Sequence, residues 1–338
     1  MEPTRDWSSL MKEMLEEIAA RIPIVEDLMS FIGVCTSWRN AAALTTKDKL
    51  LKSASGTIPL LILSDKGHEG GGDEREFYSL YKRKSKFCMD VNFGWLLTVA
   101  DFGDLCLLNP LSRTQIQLPN LKTIPDYEDY ECATAFLFVA RAILSANPSR
   151  TSDFVLTVLL GAGRFLCIWR PNDSTWTLTK SPGMLFSDVQ YYDGKIYAFD
   201  FMGRVWIWTT CDDDDKVAKV VLTITHPQLF EVMDEGYLVE SSSRAGELLV
   251  VTRDGNCAEK DGSYGATRFE VFRLDVTKCE WEKISSLGNG AIFVGHSAAI
   301  SVDASAFPNV LKSNCIYFTD DCQESYWNRD GGGRDMGI

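Results

Sequence analysis

YYDGKIYAFDFMGRVWIWTT, residues 191–210, reverses the chain twice within a short span. Asp193-Gly194 is a dipeptide that two-residue hairpins favour, because both central positions of the tight turn need positive φ. Ile196, Ala198 and Phe199 follow it, Met202-Gly203 supplies a second turn, and Val205 and Ile207 resume the alternation. Period-two patterning interrupted by such turns predicts at least three consecutive antiparallel strands.

Related phrases recur outward from this stretch: LCLLNPLSRTQIQLP (105–119), LCIWRPNDSTWTLTK (166–180) and VFRLDVTKCEWEKIS (271–285). Each is an apolar strand, a polar turn with Asn, Asp or Pro, and a second strand. Repeated hairpin units of this kind are the pattern of a β-propeller. The region from Thr57 onward, at about 40 to 50 residues per blade, predicts six or seven blades. A sandwich of this length would be unusually large, and a closed barrel would need more even strands. The loops KGHEGGGDERE and TTCDDDDKVAK are expected to be solvated connections. The final NRDGGGRDMGI stops in a Gly-rich turn where another strand is expected, which leaves room for a ring without its closing strand.

Before residue 57 the period changes. Met14, Leu15, Ile18, Ala19 and Ile22 share one face of a helix that Ser8 or Ser9 can cap and Pro23 stops. Leu28, Phe31 and Ile32 follow the acidic Glu26 and Asp27, as a second helix start prefers. A third short helix begins near Thr36 or Ser37 and carries Trp38 and Ala42. Three short helices form a unit below the size at which a core supports itself comfortably, so a partner protein is expected to supply part of the burial.

Composition narrows the function. A chain that is 45% apolar and 24% charged is an ordinary globular one, and its net charge of -13, with no basic stripe, argues against a nucleic-acid partner. FVLTVLLGAG (154–163), the longest apolar run, is about half the length that a membrane span needs. MEPTRDWSS lacks the pattern of a secretory signal, so an intracellular protein of nucleus or cytoplasm is expected. Ten cysteines scattered singly, with no CxxC pair, predict buried reduced thiols and no metal site.

Chemistry-bearing groups are sparse. His68, His226 and His296 stand at no metal-ligating spacing, and GAGRFL at Gly161 reads as a tight turn between strands. Asp212 to Asp215 lacks the alternate spacing and closing glutamate of a calcium loop. Asp320-Asp321 are expected to cap a turn, and Trp169, Trp176, Trp206, Trp208 and Trp281 to fill the sheets. No catalytic residue and no cofactor is expected.

WSSLMKEMLEEI and ARIPIVEDLMSFIGVCTSWR resemble an F-box, most specifically in the closing VCTSWR. The remainder, in NPLSR, DGKIYAFD, LDVTKCEWEKI, NCIYFTDD and GGGRDMGI, is similar to the plant F-box family with a C-terminal KIB-type propeller. The resemblance divides the chain into an F-box at 5–45, a linker at 46–56 and a propeller at 57–338. It implies that Leu10, Met11, Leu15, Ile18, Ile22, Leu28, Phe31 and Val34 meet a Skp-type adaptor, and that Cys35 and Trp38 form the F-box core. It further implies a non-catalytic substrate receptor of a cullin-RING ubiquitin ligase with an unknown protein target. The alternative is a propeller interaction protein whose degenerate F-box recruits no ligase. Met11 occupies the position where the family usually carries proline.

Overall fold

In the computed structural model the described residues are 7, 10–22, 28 and 31–43, then 87 onward apart from short interior stretches, the longer at 125–138, 180–184, 210–218, 227–234, 255–264 and 322–336. Ser8, Ser9, Pro23, the expected linker 46–56, His68, Asp212 to Asp215 and most of the terminal Gly-rich stretch lie outside them. The chain divides into two compact units, Met1–Ile58 and Pro59–Ile338.

The first unit is helical at α1 (Lys12–Arg21), at 31–33 and at 36–43. Met11 is the N-cap of α1 and makes no side-chain capping bond, while Glu13 and Arg21 sit at the ends where the helix dipole favours their charges. Leu15 and Ala19, one turn apart, are fully buried against Leu28, Phe31, Ala41 and Ala42. That stripe makes the fold of the unit, because the exposed pairs Lys12–Glu16 and Glu17–Arg21 are worth little in water.

The second unit consists of sheets built in chain order, antiparallel except for one strand pair of the last. The first holds β1 (Phe87–Asp90), β2 (Leu96–Val99), β3 (Leu105–Leu108) and β4 (Gln115–Gln117). The second holds β5 (Val139–Leu144), β6 (Leu156–Leu160), β7 (Phe165–Trp169) and β8 (Thr177–Leu178). The third holds β9 (Phe186–Tyr192), β10 (Lys195–Asp200), β11 (Arg204–Thr209) and β12 (Lys219–Thr225). The fourth holds β13 (Glu235–Glu240), β14 (Leu248–Asp254), β15 (Arg268–Asp275) and β16 (Glu280–Lys283). In the last, β17 (Gly290–Val294) lies between antiparallel β18 (Ala299–Asp303) and parallel β19 (Cys315–Phe318).

Local chemistry sets these turns. Asp193 and Gly194 both take positive φ, 45° and 73°, which directs β9 straight back into β10 with Tyr192 opposite Lys195. At the next reversal the buried Asp200 carboxylate accepts from the backbone N–H groups of Met202 and Arg204, both at 2.9 Å, and from Trp206 Nε1 at 2.7 Å. The recurrent phrases prove to be the third-to-fourth-strand hairpins of the first, second and fourth sheets. Each places one residue other than glycine in the left-handed region: Arg113, Asn172 and Cys279. Cys279 is therefore exposed at a turn tip and not buried, whereas Cys167 is buried in β7, where burial pushes its thiol up to about 12.

Successive sheets pack face to face through apolar layers, and this makes the unit a propeller. Leu97, Leu107, Leu156 and Val158 join the first sheet to the second; Leu166, Ile168, Ile196 and Trp208 join the second to the third. Tyr197, Ile207, Leu248 and Val250 join the third to the fourth, and Tyr237, Val251, Ile292 and Val294 join the fourth to the last. Each such side chain contributes about 1.5 to 3 kcal/mol by its burial. Trp169, Trp176 and Trp208 are buried in these layers and Trp206 and Trp281 lie at their margins.

The described residues form five blades, not the six or seven expected. First strands begin at residues 87, 139, 186, 235 and 290, so a blade takes about fifty residues. The first stretch after Thr57 lies outside the described residues. At the other end Gly337 pairs with Phe318 through N–H···O bonds of 3.0 and 3.2 Å, adding chain beside β19.

GAGRFL is the β6–β7 turn, with Gly161 and Gly163 at φ 60° and 84°. A Cβ on Gly163 would stand 2.0 Å from the Phe186 carbonyl oxygen of the next blade. Gly163→Ala should cost on the order of 2–4 kcal/mol in urea unfolding. Gly246→Ala, at φ +81° with open space around it, should cost only about 1–2 kcal/mol.

Candidate functional site

On the first unit, α1 has two apolar stripes. Leu15 and Ala19 face inward with Ile22 half-buried, while Met11, Met14 and Ile18, at spacings of three and four, face solvent with 64%, 47% and 40% of their surface exposed. Val34, between the second and third helical stretches, is also exposed, as is Trp7. Of the residues singled out in the sequence, Met11, Ile18 and Val34 are therefore accessible; Leu10, Ile22 and Cys35 are half-buried; Leu15, Leu28 and Phe31 belong to the unit's own core. Trp38 stacks on Phe31 at 4.5 Å and donates from Nε1 to the Trp7 carbonyl at 3.1 Å, while the exposed Arg39 donates to the Ile32 carbonyl.

The propeller holds a second concentration of chemistry where β5, β9, β13 and β18 come side by side. β9 lies beside both β5 and β13, and β13 faces β18. Arg141 of β5 and Asp188 of β9 stand 3.5 Å apart, Nε to Oδ1, and both are almost wholly buried. The Arg141 guanidinium also donates to the Ser187 carbonyl at 3.3 Å and, through Nη1, to the carbonyls of Gly295 (2.7 Å) and His296. Asp188 accepts in turn from the backbone N–H of Val189 at 2.8 Å and of Leu238 at 2.7 Å.

Beside this pair, Tyr237 donates its hydroxyl to Asp321 Oδ2, and Arg253 Nη1 lies 3.6 Å from the same oxygen while donating to the Thr319 carbonyl at 2.8 Å. Asp320 and Asp321 are thus buried, not caps on an exposed turn. Adjacent residues usually point apart in a strand, but here the chain leaves β19 and turns both inward. None of Arg141, Asp188, Glu235 and Arg253 stood out in the sequence. The available signal was a charge inside an apolar strand: Arg141 in VARAIL, Asp188 in FSDV and Arg253 in LLVVTRD.

Four carboxylates, Asp188, Glu235, Asp320 and Asp321, share this centre with two guanidiniums. Burial raises Asp321 and Asp188 above the ordinary carboxylate range, against the pull of Arg141 on both. Glu235, at the start of β13, is pushed by burial up to about 8; Arg141 and Arg253 lower it, and Asp321 and Asp188 raise it further. His226 lies elsewhere, buried between Phe272 and Trp281 at ring distances of 4.6 and 5.0 Å, and burial lowers its pKa. Among the described residues no group of three or more His, Cys, Asp and Glu could hold a metal ion, and no described helix is long and apolar enough to cross a membrane.

A folded-state pKa of about 8 against 4.5 unfolded means that Glu235 favours the native state below pH 4.5 and loses that contribution as pH rises through 8. Glu235→Gln should therefore be increasingly more stable than the wild type between those values, with a constant gap above pH 8. Urea midpoints measured from pH 5 to 9 check this, and a gap that does not change with pH contradicts it.

Comparison with known proteins agrees with this architecture. Residues 71–338 match the KIB1-4 beta-propeller family. The chain is 25% identical to the F-box protein SKIP23 of Arabidopsis thaliana, over 93% of this chain and 84% of that protein. It is likewise 25% identical to the F-box protein At2g17036 of the same plant, over 98% of this chain and 88% of that protein. A propeller of sheets built in chain order and a family match over residues 71–338 lead to one assignment: the chain belongs to the KIB1-4 β-propeller family.

Proposed function

We propose that the chain is a substrate receptor of a Skp–cullin–F-box ubiquitin ligase, in which the helical unit at 5–45 binds a Skp-type adaptor and the propeller binds the protein to be modified. The observation that carries this reading is the exposed stripe of Met11, Met14 and Ile18, with Val34, on a helical unit in a chain whose relatives are named F-box proteins. Apolar side chains held out of a small core await burial elsewhere, and each gives about 1.5 to 3 kcal/mol when a partner covers it. Leu10 and Ile22 border that surface, Leu15, Leu28, Phe31 and Trp38 hold it in shape, and Cys35 is half-buried outside that cluster.

The receptor makes and breaks no bond itself. Its contribution is proximity: a target lysine held near the ubiquitin-loaded enzyme reacts at a greatly raised effective concentration. The nucleus and the cytoplasm are the compartments where such a ligase would work.

Met11 in the family's usual proline position bears on the alternative of an F-box that recruits no ligase. Met11 has φ -61° and ψ 143°, the backbone that proline would fix, so the entry to α1 keeps its geometry without the ring. This favours the ligase reading. Met11→Pro should be accommodated and should stabilise the unit by about 0.4–1 kcal/mol through the unfolded chain.

A pull-down with a Skp-type adaptor tests the proposal. The full chain should capture the adaptor, and Ile18→Asp or Val34→Asp should lose at least tenfold in capture while circular dichroism stays that of the parent. Failure of the intact chain to bind any Skp-type adaptor contradicts the reading. Leu15→Asp should instead unfold the helical unit, since Leu15 is wholly buried.

A further inference from the structure

The last sheet is held by less apolar packing than the sheets in the middle of the arc. β6, β10 and β14 are buried almost from end to end, whereas all of β19 and most of β18 are only half-buried. One face of the sheet shares the layer of Tyr237, Val251, Ile292 and Val294 with the fourth sheet. The opposite face carries Phe293 stacked on Tyr317 at 4.6 Å, with Ile300 paired to Phe293, and all three are half-exposed. Among the described residues no apolar layer joins the last sheet to the first. Hydrophobic stabilisation follows the area removed from water, so this sheet gains less of it than its neighbours.

Polar bonds cross the interface where apolar area is short. Thr319, Asp320 and Asp321 leave β19 and run onto the fourth sheet. The Thr319 N–H still donates to the Val294 carbonyl of β17 at 3.1 Å, while the Thr319 carbonyl accepts from Arg253 Nη1 of β14 at 2.8 Å. Two residues on, Asp321 Oδ2 accepts from the Tyr237 hydroxyl of β13 and stands 3.6 Å from Arg253 Nη1. Asp320 and Asp321 are both buried. The Arg253 guanidinium also lies over the ring of Phe269 in the fourth sheet and that of Phe318 in the last, at 5.7 and 5.1 Å. Gly295 makes room for the crossing, since a Cβ there would stand 2.4 Å from Thr319 Oγ1.

We infer that Thr319–Asp321 is a strap that clamps the last blade onto the fourth, and that this blade opens and closes as a unit while the preceding blades stay folded. Tyr237 and Arg253 belong to a sheet whose four strands pair without the strap, so its docking is a separate step. With the strap in place the buried Arg253 and Asp321 meet each other; with it lifted both return to water, so no charge is left buried alone. Opening also withdraws the carbonyls of Gly295 and His296 from Arg141, which exposes the charged centre in the same event. The strap concerns the propeller alone and does not depend on the ligase reading.

Native-state hydrogen exchange of the full chain, followed by mass spectrometry in urea below the unfolding midpoint, tests the strap. In the wild type, amides of β17, β18 and β19 should exchange at least tenfold faster than those of β10 and β11, through an opening with a weaker urea dependence than global unfolding. Asp321→Asn removes the charge and keeps the shape; it should speed exchange in β17 to β19 at least a further tenfold and leave β10 and β11 unchanged. Gly295→Ala should act in the same direction by displacing Thr319 with every charge in place. Exchange of the last blade only through global unfolding would overturn the inference, and that wild-type result decides it even if a variant fails to fold. Equal acceleration in every sheet on Asp321→Asn, or none in the last, would overturn it as well.

Discussion

Arg141 holds together parts of the chain that nothing local could bring into register. Its guanidinium, buried on β5, reaches Asp188 and the Ser187 carbonyl of the next blade and the carbonyls of Gly295 and His296 in the last one. A buried charge is tolerable only where its donors are all engaged, and here several of its N–H groups find oxygen. The bonds to residues 295 and 296 connect positions more than 150 apart in sequence, so they form only when the intervening blades are already stacked. The apolar layers between successive sheets supply most of the stability, but they are local in chain order. Arg141 makes the arc of blades converge.

The same convergence produces the chemistry of the centre. Bringing β5, β9, β13 and β18 side by side buries Arg141, Asp188, Tyr237, Arg253 and Asp321 together, where their charges are little diluted by water. Two guanidiniums meet Asp188 and Asp321, and burial holds Glu235 toward its protonated form. In the helical unit one stripe of α1 is consumed by its own core and the other, Met11, Met14 and Ile18, stays exposed.

The sequence announces whatever repeats along the chain and conceals what is joined across it. Asp193-Gly194 and the three hairpin phrases are read correctly because a turn's backbone requirement is met by the residues that form it. The F-box resemblance is legible for a related reason, since its helices are neighbours in sequence. Five blades are described where six or seven were expected: their spacing of about fifty residues is at the top of the expected range, and the stretch from Thr57 to residue 86 lies outside the described residues. The division of α1 into a buried and an exposed stripe was missed as well: Met14 and Ile18 share a broad apolar arc with Leu15 and Ala19, and only the packing of Leu28 and Phe31 decides which edge faces in. The charged centre was least legible. Arg141, Asp188, Glu235 and Asp321 are separated by some fifty to ninety residues from one to the next, and each alone looks like an isolated charge in or beside a strand.

Equilibrium urea unfolding of Arg141→Met tests this account most directly. Methionine keeps the apolar stem and removes the guanidinium, leaving the buried Asp188 carboxylate without its counter-charge and two carbonyls of the last blade without their donor. The account predicts a loss of about 3–5 kcal/mol, partly restored when Asp188 is changed to Leu in the same chain. A loss below about 1 kcal/mol, the range of an exposed ion pair, would show that the blades converge without Arg141 and would contradict the account.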